Sequence, residues 1–188
     1  MGAVQVGLFA RDAIDTLLSA IKKNADYKIE QLKKVVAEAK ATRDQAEANK
    51  KAASDAWLQA IRPGQLDYSA EKAASDSAGK AFVNAQAKYS ELNHRLNFCY
   101  SGDFYFAFFE WAIRTAETDA DGKFVIEVPK AGAFVIAAQA KRSVGDDTER
   151  YYWLQPVSLQ GQQQLTQNLS NNNLTSTTGT SALIKTKD

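Results

Sequence analysis

Residues 24–96 read NADYKIEQLKKVVAEAKATRDQAEANKKAASDAWLQAIRPGQLDYSAEKAASDSAGKAFVNAQAKYSELNHRL, and this stretch decides the architecture. Apolar or small residues recur at Leu18, Ile21, Ala25, Ile29, Leu32, Val36, Ala39, Ala46, Ala53 and Trp57. Steps of three and four are the period of one helix face. Lys, Glu, Gln and Arg, good helix formers, fill the positions between. No proline precedes Pro63, and Gly2 and Gly7 both lie ahead of the helix. Glu30 to Lys34 and Glu47 to Lys51 are spaced i,i+4 in the favourable order. Pro63-Gly64 then stops the helix, because proline lacks an N–H and glycine tolerates other backbone angles. Asp67 is positioned to cap a second helix, with Ala70, Ala74, Ala78, Ala81, Ala85, Tyr89, Leu92 and Leu96 on one face.

The linker Arg62-Pro63-Gly64-Gln65 is short enough to require an antiparallel return. Folding about residue 64 pairs Leu32 with Leu96, Val36 with Leu92, Ala46 with Phe82 and Ala53 with Ser75. Large residues then seal the base, and alanines let the distal half approach closely. A helix of about 38 residues is about 57 Å long. The arm must therefore project or lie on something. Alanine buries little area at roughly 25 cal/mol per Å², so the tip is expected to be the least stable part.

The rest of the chain carries β signals. Residues 3–10 (AVQVGLFA) alternate in part and predict a strand. Phe104 to Thr118 is rich in aromatics and favours one buried strand or two, with a short helix near Phe108 to Arg114 as the alternative. Asp121-Gly122 between apolar runs is a hairpin signal. Phe124 to Val128 follows as a strand, Pro129 to Gly132 as a turn and Phe134 to Ala140 as a strand. Ser143 to Thr148 reads as a polar loop, and Tyr151 opens a strand running to Leu159. Gln162 to Gln167 suits an edge strand. Ser170 to Ser181 reads as loop or tail, and Ala182 to Lys185 as a last short strand. Five or six short strands separated by turns suggest a small β-sandwich.

Composition excludes several classes. The net charge is +1, where general nucleic-acid binding needs a basic surface. The lysines of the first helix read as a solvated face. Cys99 is the sole cysteine, so no intramolecular disulfide forms. No run approaches 18 apolar residues, and residues 1–4 show no signal-peptide pattern. The sole histidine, His94, and Cys99 make neither a zinc site nor a nucleophile pair. Asp119-Ala120-Asp121-Gly122 resembles a calcium loop, but Val128 stands where a bidentate glutamate is required. The sequence offers no catalytic, cofactor or metal residues, and a non-enzymatic role is expected. Asn168-Leu169-Ser170 and Asn173-Leu174-Thr175 match the glycosylation pattern, which chance explains in so Asn/Ser/Thr-rich a segment.

The stretch ETDADGKF (Glu117 to Phe124), then Val128-Pro129, then GAFVIAA (Gly132 to Ala138), resembles the T-D-x-D-G-x-F … P-x-G-x-Y-x-L-x-A core of carboxypeptidase regulatory-like domains. The opening AVQVGLFAR is similar to the strand those domains place before this motif; their usual first strand, with G-x-V, is missing or shortened here. The resemblance implies a prealbumin-like (transthyretin-like) antiparallel β-sandwich and a non-catalytic accessory module, often extracytoplasmic in bacteria. It supplies no functional residues.

The expected fold class is therefore α+β: a small prealbumin-like sandwich, residues 1–20 and 101–188, with an antiparallel coiled-coil hairpin, residues 21–100, inserted after the first strand. The expected function is binding another protein through the hairpin, with Tyr27, Val35 and Ile61 off the seam as contact residues and self-association left open. Two alternatives stand beside it. One is a periplasmic membrane-fusion-type adaptor. The other is a carbohydrate-binding module with Tyr152 and Trp153 as an exposed aromatic surface, against a core role for these aromatics.

Overall fold

The structure is a computed structural model that describes residues 4–61, 67–119, 121–128, 132–158 and 167–175. The chain is α+β. Four strands form one antiparallel sheet: β1 (Gln5–Ala10), β2 (Arg114–Glu117), β3 (Ala133–Val144) and β4 (Asp147–Ser158), in the order β2-β1-β3-β4. Two long helices, α1 (Arg11–Ala60) and α2 (Ser69–Cys99), lie between β1 and β2 in sequence. The chain divides into two compact units, Met1–Asp26 with Tyr100–Asp188, and Tyr27–Cys99.

In the sheet unit, side chains alternate between two faces because a strand repeats every two residues. Val6 opposes Ala138, Ala138 opposes Trp153 and Phe134 opposes Val157. Together with Leu8 and Ile136 they form one buried cluster. Phe124, Ile126, Val128, Leu169 and Leu174 pack over it. The residues between them, Val125 and Glu127, are exposed. So the alternation expected at 124–128 is present, yet the segment is not hydrogen-bonded into the sheet. Its turn forms as expected. Gly122 has φ +79°, and the Asp119 carboxylate accepts backbone N–H groups of Asp121 (2.9 Å) and Lys123 (2.8 Å). These bonds occupy the Asp119 oxygen locally, the Asx-turn geometry that favours Asp at such positions.

The opposite face is covered by the aromatic run, which departs from the strand expectation. Gly102–Tyr105 forms a short helix, α3, and Phe106–Trp111 a 3-10 helix; only Arg114–Glu117 becomes strand. Ser101 starts the turn by accepting the Phe104 N–H. Tyr105, Phe106, Phe108 and Phe109 are buried while Ala107 and Glu110 are exposed. That three-residue repeat belongs to a 3-10 helix, in which i and i+3 align. A strand would send alternate aromatics into solvent. Phe9 meets Phe108 and Phe109 edge-on at 5.1 and 5.9 Å. Gly7 leaves room for them: a Cβ there would lie 2.9 Å from the Phe9 ring and 3.1 Å from that of Phe109.

The expected polar loop at 143–148 is shorter than read. β3 and β4 continue to Val144 and Asp147, which pair directly, and Gly145 (φ +61°) begins a two-residue turn. The described part of the segment read as loop or tail from Ser170 is loop with one 3-10 turn at Asn171–Asn173, and it is tied onto β4. Trp153 Nε1 donates to the Ser170 carbonyl (2.9 Å), Gln155 Nε2 to that of Asn173 (2.7 Å), and the Thr175 N–H to that of Tyr152 (2.8 Å). Residues 129–131 of the expected turn, 162–166 of the strand expected at Gln162 to Gln167, and the strand expected at 182–185 lie outside the described residues; Gln167 itself is not strand.

Candidate interaction surface

In the helical unit, α1 and α2 are expected to find each other through a seam, and the burial pattern draws one. From Tyr27 to Ala60 the α1 residues that are not exposed are Ile29, Leu32, Val36, Ala39, Arg43, Ala46, Ala53, Ser54, Trp57 and Ala60. Steps alternate between three and four, with Lys50 filling the one missing place. On α2 the covered row is Glu71, Ser75, Ala78, Phe82, Ala85, Tyr89, Leu92, Leu96 and Cys99. Ala70, Ala74 and Ala81, expected on this face, are exposed. A run of four-residue steps drifts around a helix of 3.6 residues per turn, so the row switches to Ser75 and Phe82.

Polar and cation–aromatic contacts cross the seam. The Arg43 guanidinium lies 4.9 Å from the Tyr89 ring centre, Lys50 Nζ lies 4.8 Å from that of Phe82, and the Ser54 and Ser75 hydroxyls are 3.3 Å apart. Numbers rise on one helix as they fall on the other, so the helices run antiparallel. Phe82 meets Lys50, one turn beyond the Ala46 expected. The alanines Ala39, Ala46, Ala53, Ala78 and Ala85 are only half-buried, because the cation–aromatic pairs stand between them as spacers. Trp57 Nε1 is buried without a hydrogen-bond partner among the described residues. Nothing in a polarity pattern predicts Arg43 or Lys50 at a seam. The available signal was their seven-residue spacing, matched by Phe82 and Tyr89.

Asp67 stands one residue ahead of the N-cap position, which Tyr68 occupies; its carboxylate accepts the Ser69 N–H at 2.9 Å, and this bond holds the Asp67 pKa below the usual carboxylate range. Asp44 is likewise held low by its hydrogen bonds from Arg43, which orient that guanidinium beside Tyr89. The exposed ion pairs Lys33–Glu30, Lys88–Glu91 and Arg95–Glu91 add little stability.

Off the seam, Tyr27 is 67 % exposed, Val35 39 % and Ile61 47 %. Leu58 and Val83 are exposed as well. A shallow depression beside α1 is lined by Asp44, Glu47, Ala48, Lys50, Lys51 and Ser54, a mixed-charge surface.

Tyr152 and Trp153 are not an exposed surface. They are 3 % and 6 % exposed, on opposite faces of β4. Trp153 belongs to the core cluster that Leu169 and Leu174 pack against, and the Ser170 carbonyl accepts its indole N–H. Tyr152 donates to Asp103 Oδ1 (2.7 Å), its ring meets that of Phe106 at 4.9 Å, and Arg150 pairs with Asp103 Oδ2 at 2.6 Å. Burial, then the bond to Asp103, pushes the Tyr152 pKa well above the usual phenol range. Gly102 sits flat on this ring. Tyr151 stacks with Trp153 (6.2 Å) on the other face and remains half-buried.

His94 is exposed and Cys99 is buried. Among the described residues no group of three or more His, Cys, Asp or Glu is placed to hold a metal ion. Among the same residues, no helix is long and apolar enough to cross a membrane. Asn173 spends its side chain on internal bonds, accepting from the Ser170 N–H and donating to the Asn168 carbonyl. Comparisons of the chain with protein-family models, with curated proteins and with solved structures found no match.

Proposed function

We propose that this chain is a non-enzymatic interaction module that binds a protein partner through its helical unit. The observation that carries this reading is the exposure of large apolar side chains that the seam does not use: Tyr27 and Val35 on α1, and Ile61 just past its end. Such residues on a long helix are what helix-in-groove or bundle packing consumes. The three-four spacing of both covered rows supports an antiparallel coiled coil, and a seven-residue repeat implies a left-handed twist. The Asp119–Gly122 turn, the alternation of Phe124, Ile126 and Val128, and strand β3 support a carboxypeptidase regulatory-like, prealbumin-like character for the sheet unit. An extracytoplasmic location follows from that likeness alone. The burial of Tyr152 and Trp153 weighs against the carbohydrate-binding reading.

The test uses the intact chain and a variant carrying Tyr27→Ala, Val35→Ala and Ile61→Ala as paired baits in an envelope extract. Circular dichroism first checks that helix content is unchanged. A partner held by the intact chain and lost from the variant is expected. A partner held equally by both, or a glycan held by both on an array, moves function to the sheet unit.

A further inference from the structure

Strand β2 is an edge of the sheet: β1 pairs with one side of it, and among the described residues no strand pairs with the other. The Thr118 N–H donates to the Val4 carbonyl at 3.0 Å, which fixes the alternation of the ladder. In an antiparallel pair every second residue turns its N–H and C=O toward a given neighbour. Arg114 and Ala116 therefore bond β1, while Thr115 and Glu117 present their backbone groups outward, and both of these residues are exposed. The two charges stand at opposite ends of the strand, Arg114 at one and Glu117 at the other. Antiparallel pairing of two such edges brings the basic end of each copy to the acidic end of the other, at both ends. Charges of one sign guard an edge against self-pairing; this arrangement favours it. Trp111 (59 % exposed) and Ile113 (40 %) lie just ahead of the strand and add apolar surface that a short backbone pairing lacks.

We infer that the outer edge of β2 is a self-association site, where two copies of the chain pair about a twofold axis through Ala116. Thr115 of each copy exchanges backbone hydrogen bonds with Glu117 of the other, and the two sheets become one. The contact uses none of the helical residues proposed above to bind a partner. So short a pairing is a small interface, and a dissociation constant on the order of tens of micromolar is expected.

Sedimentation equilibrium of the intact chain tests this. The wild type should dimerise reversibly. Thr115→Pro removes an outward N–H and leaves the bonds to β1 in place, so it should yield a monomer. Arg114→Glu and Glu117→Arg should each weaken the dimer about tenfold, because each acts at both ends. The double variant Arg114→Glu/Glu117→Arg should recover it. Both charged positions are exposed, so these variants decide the matter even if circular dichroism shows that Thr115→Pro does not fold. A wild type that stays monomeric at concentrations on the order of 500 μM overturns the inference. So does a dimer that folded Thr115→Pro or the single charge reversals leave intact, or one that the double variant does not recover.

Discussion

The sheet unit and the helical unit solve the same problem with different materials. In the sheet unit, large side chains interlock on both faces: Leu8, Phe108 and Tyr105 are fully buried, and glycines at 7 and 102 make space for rings. In the helical unit, the middle of the seam, from Ala39 to Ala53 and Ala78 to Ala85, is made of half-buried alanines spaced by cations resting on aromatic rings. Interior packing rewards volume filled, so the first arrangement is stiff. The second buries little apolar area per residue and leans on helix propensity, of which alanine has the most. Long helices can thus be well formed without being firmly joined.

The largest effect should come from breaking the stiff side. Phe108→Ala removes a fully buried ring between Phe9, Phe106 and Phe109, and should cost about 3–5 kcal/mol in chemical denaturation. Gly102→Ala comes next. Its Cβ would fall 2.2 Å from the Tyr152 ring, so overpacking of about 1–3 kcal/mol is expected in the same measurement.

Tyr152→Phe removes one hydrogen bond and should cost roughly 1–2 kcal/mol at neutral pH. Its pH signature is more specific. The folded-state pKa of Tyr152 is raised, so its contribution is complete below about pH 10, where the phenol of the unfolded chain still holds its proton. The contribution is lost as pH rises above that value. Wild type should therefore lose its stability advantage over the variant in alkali, as read by urea titrations from pH 8 to 11. An advantage that stays constant would remove Tyr152 as the titrating group.

On the loose side, Arg43→Ala or Lys50→Ala should cost only about 0.5–1 kcal/mol, the worth of an exposed cation–π contact. The change should show as faster amide exchange around Phe82 and Tyr89, with the sheet unit unaffected.

Much of this contrast is legible in the chain itself. The helix face from Leu18 to Trp57, an end to α1 ahead of Pro63, the Asp67 bond to the start of α2 and the strands around Leu8 and Phe134 follow from local rules of period and turn chemistry. What sequence did not reveal was set by packing. Phe104 to Trp111 has strand composition, but covering one sheet face needs four aromatics pointing the same way, which a 3-10 turn supplies and a strand does not. Phe124 to Val128 alternates like a strand, yet covers the sheet without joining it. Phe82 sits on the seam as the pairing about residue 64 expects, but face drift along a helix leaves Ala81 exposed, and Lys50 entered because its stem and charge suit a ring. Tyr152 and Trp153 were placed on opposite faces by the two-residue period. Their burial depended on residues far away in sequence, Phe106 and Asp103 for Tyr152, and Leu169 and Leu174 for Trp153.

Hydrogen exchange read by mass spectrometry on the intact chain tests the contrast most directly. Slowest exchange is predicted in Phe134 to Ala138 and around Leu8, and clearly faster exchange in Ala39 to Ala53 and Ala78 to Ala85, despite their helical backbone. Equal protection of the alanine seam and the sheet core would contradict the account, because it would mean that the two helices are joined as firmly as the strands.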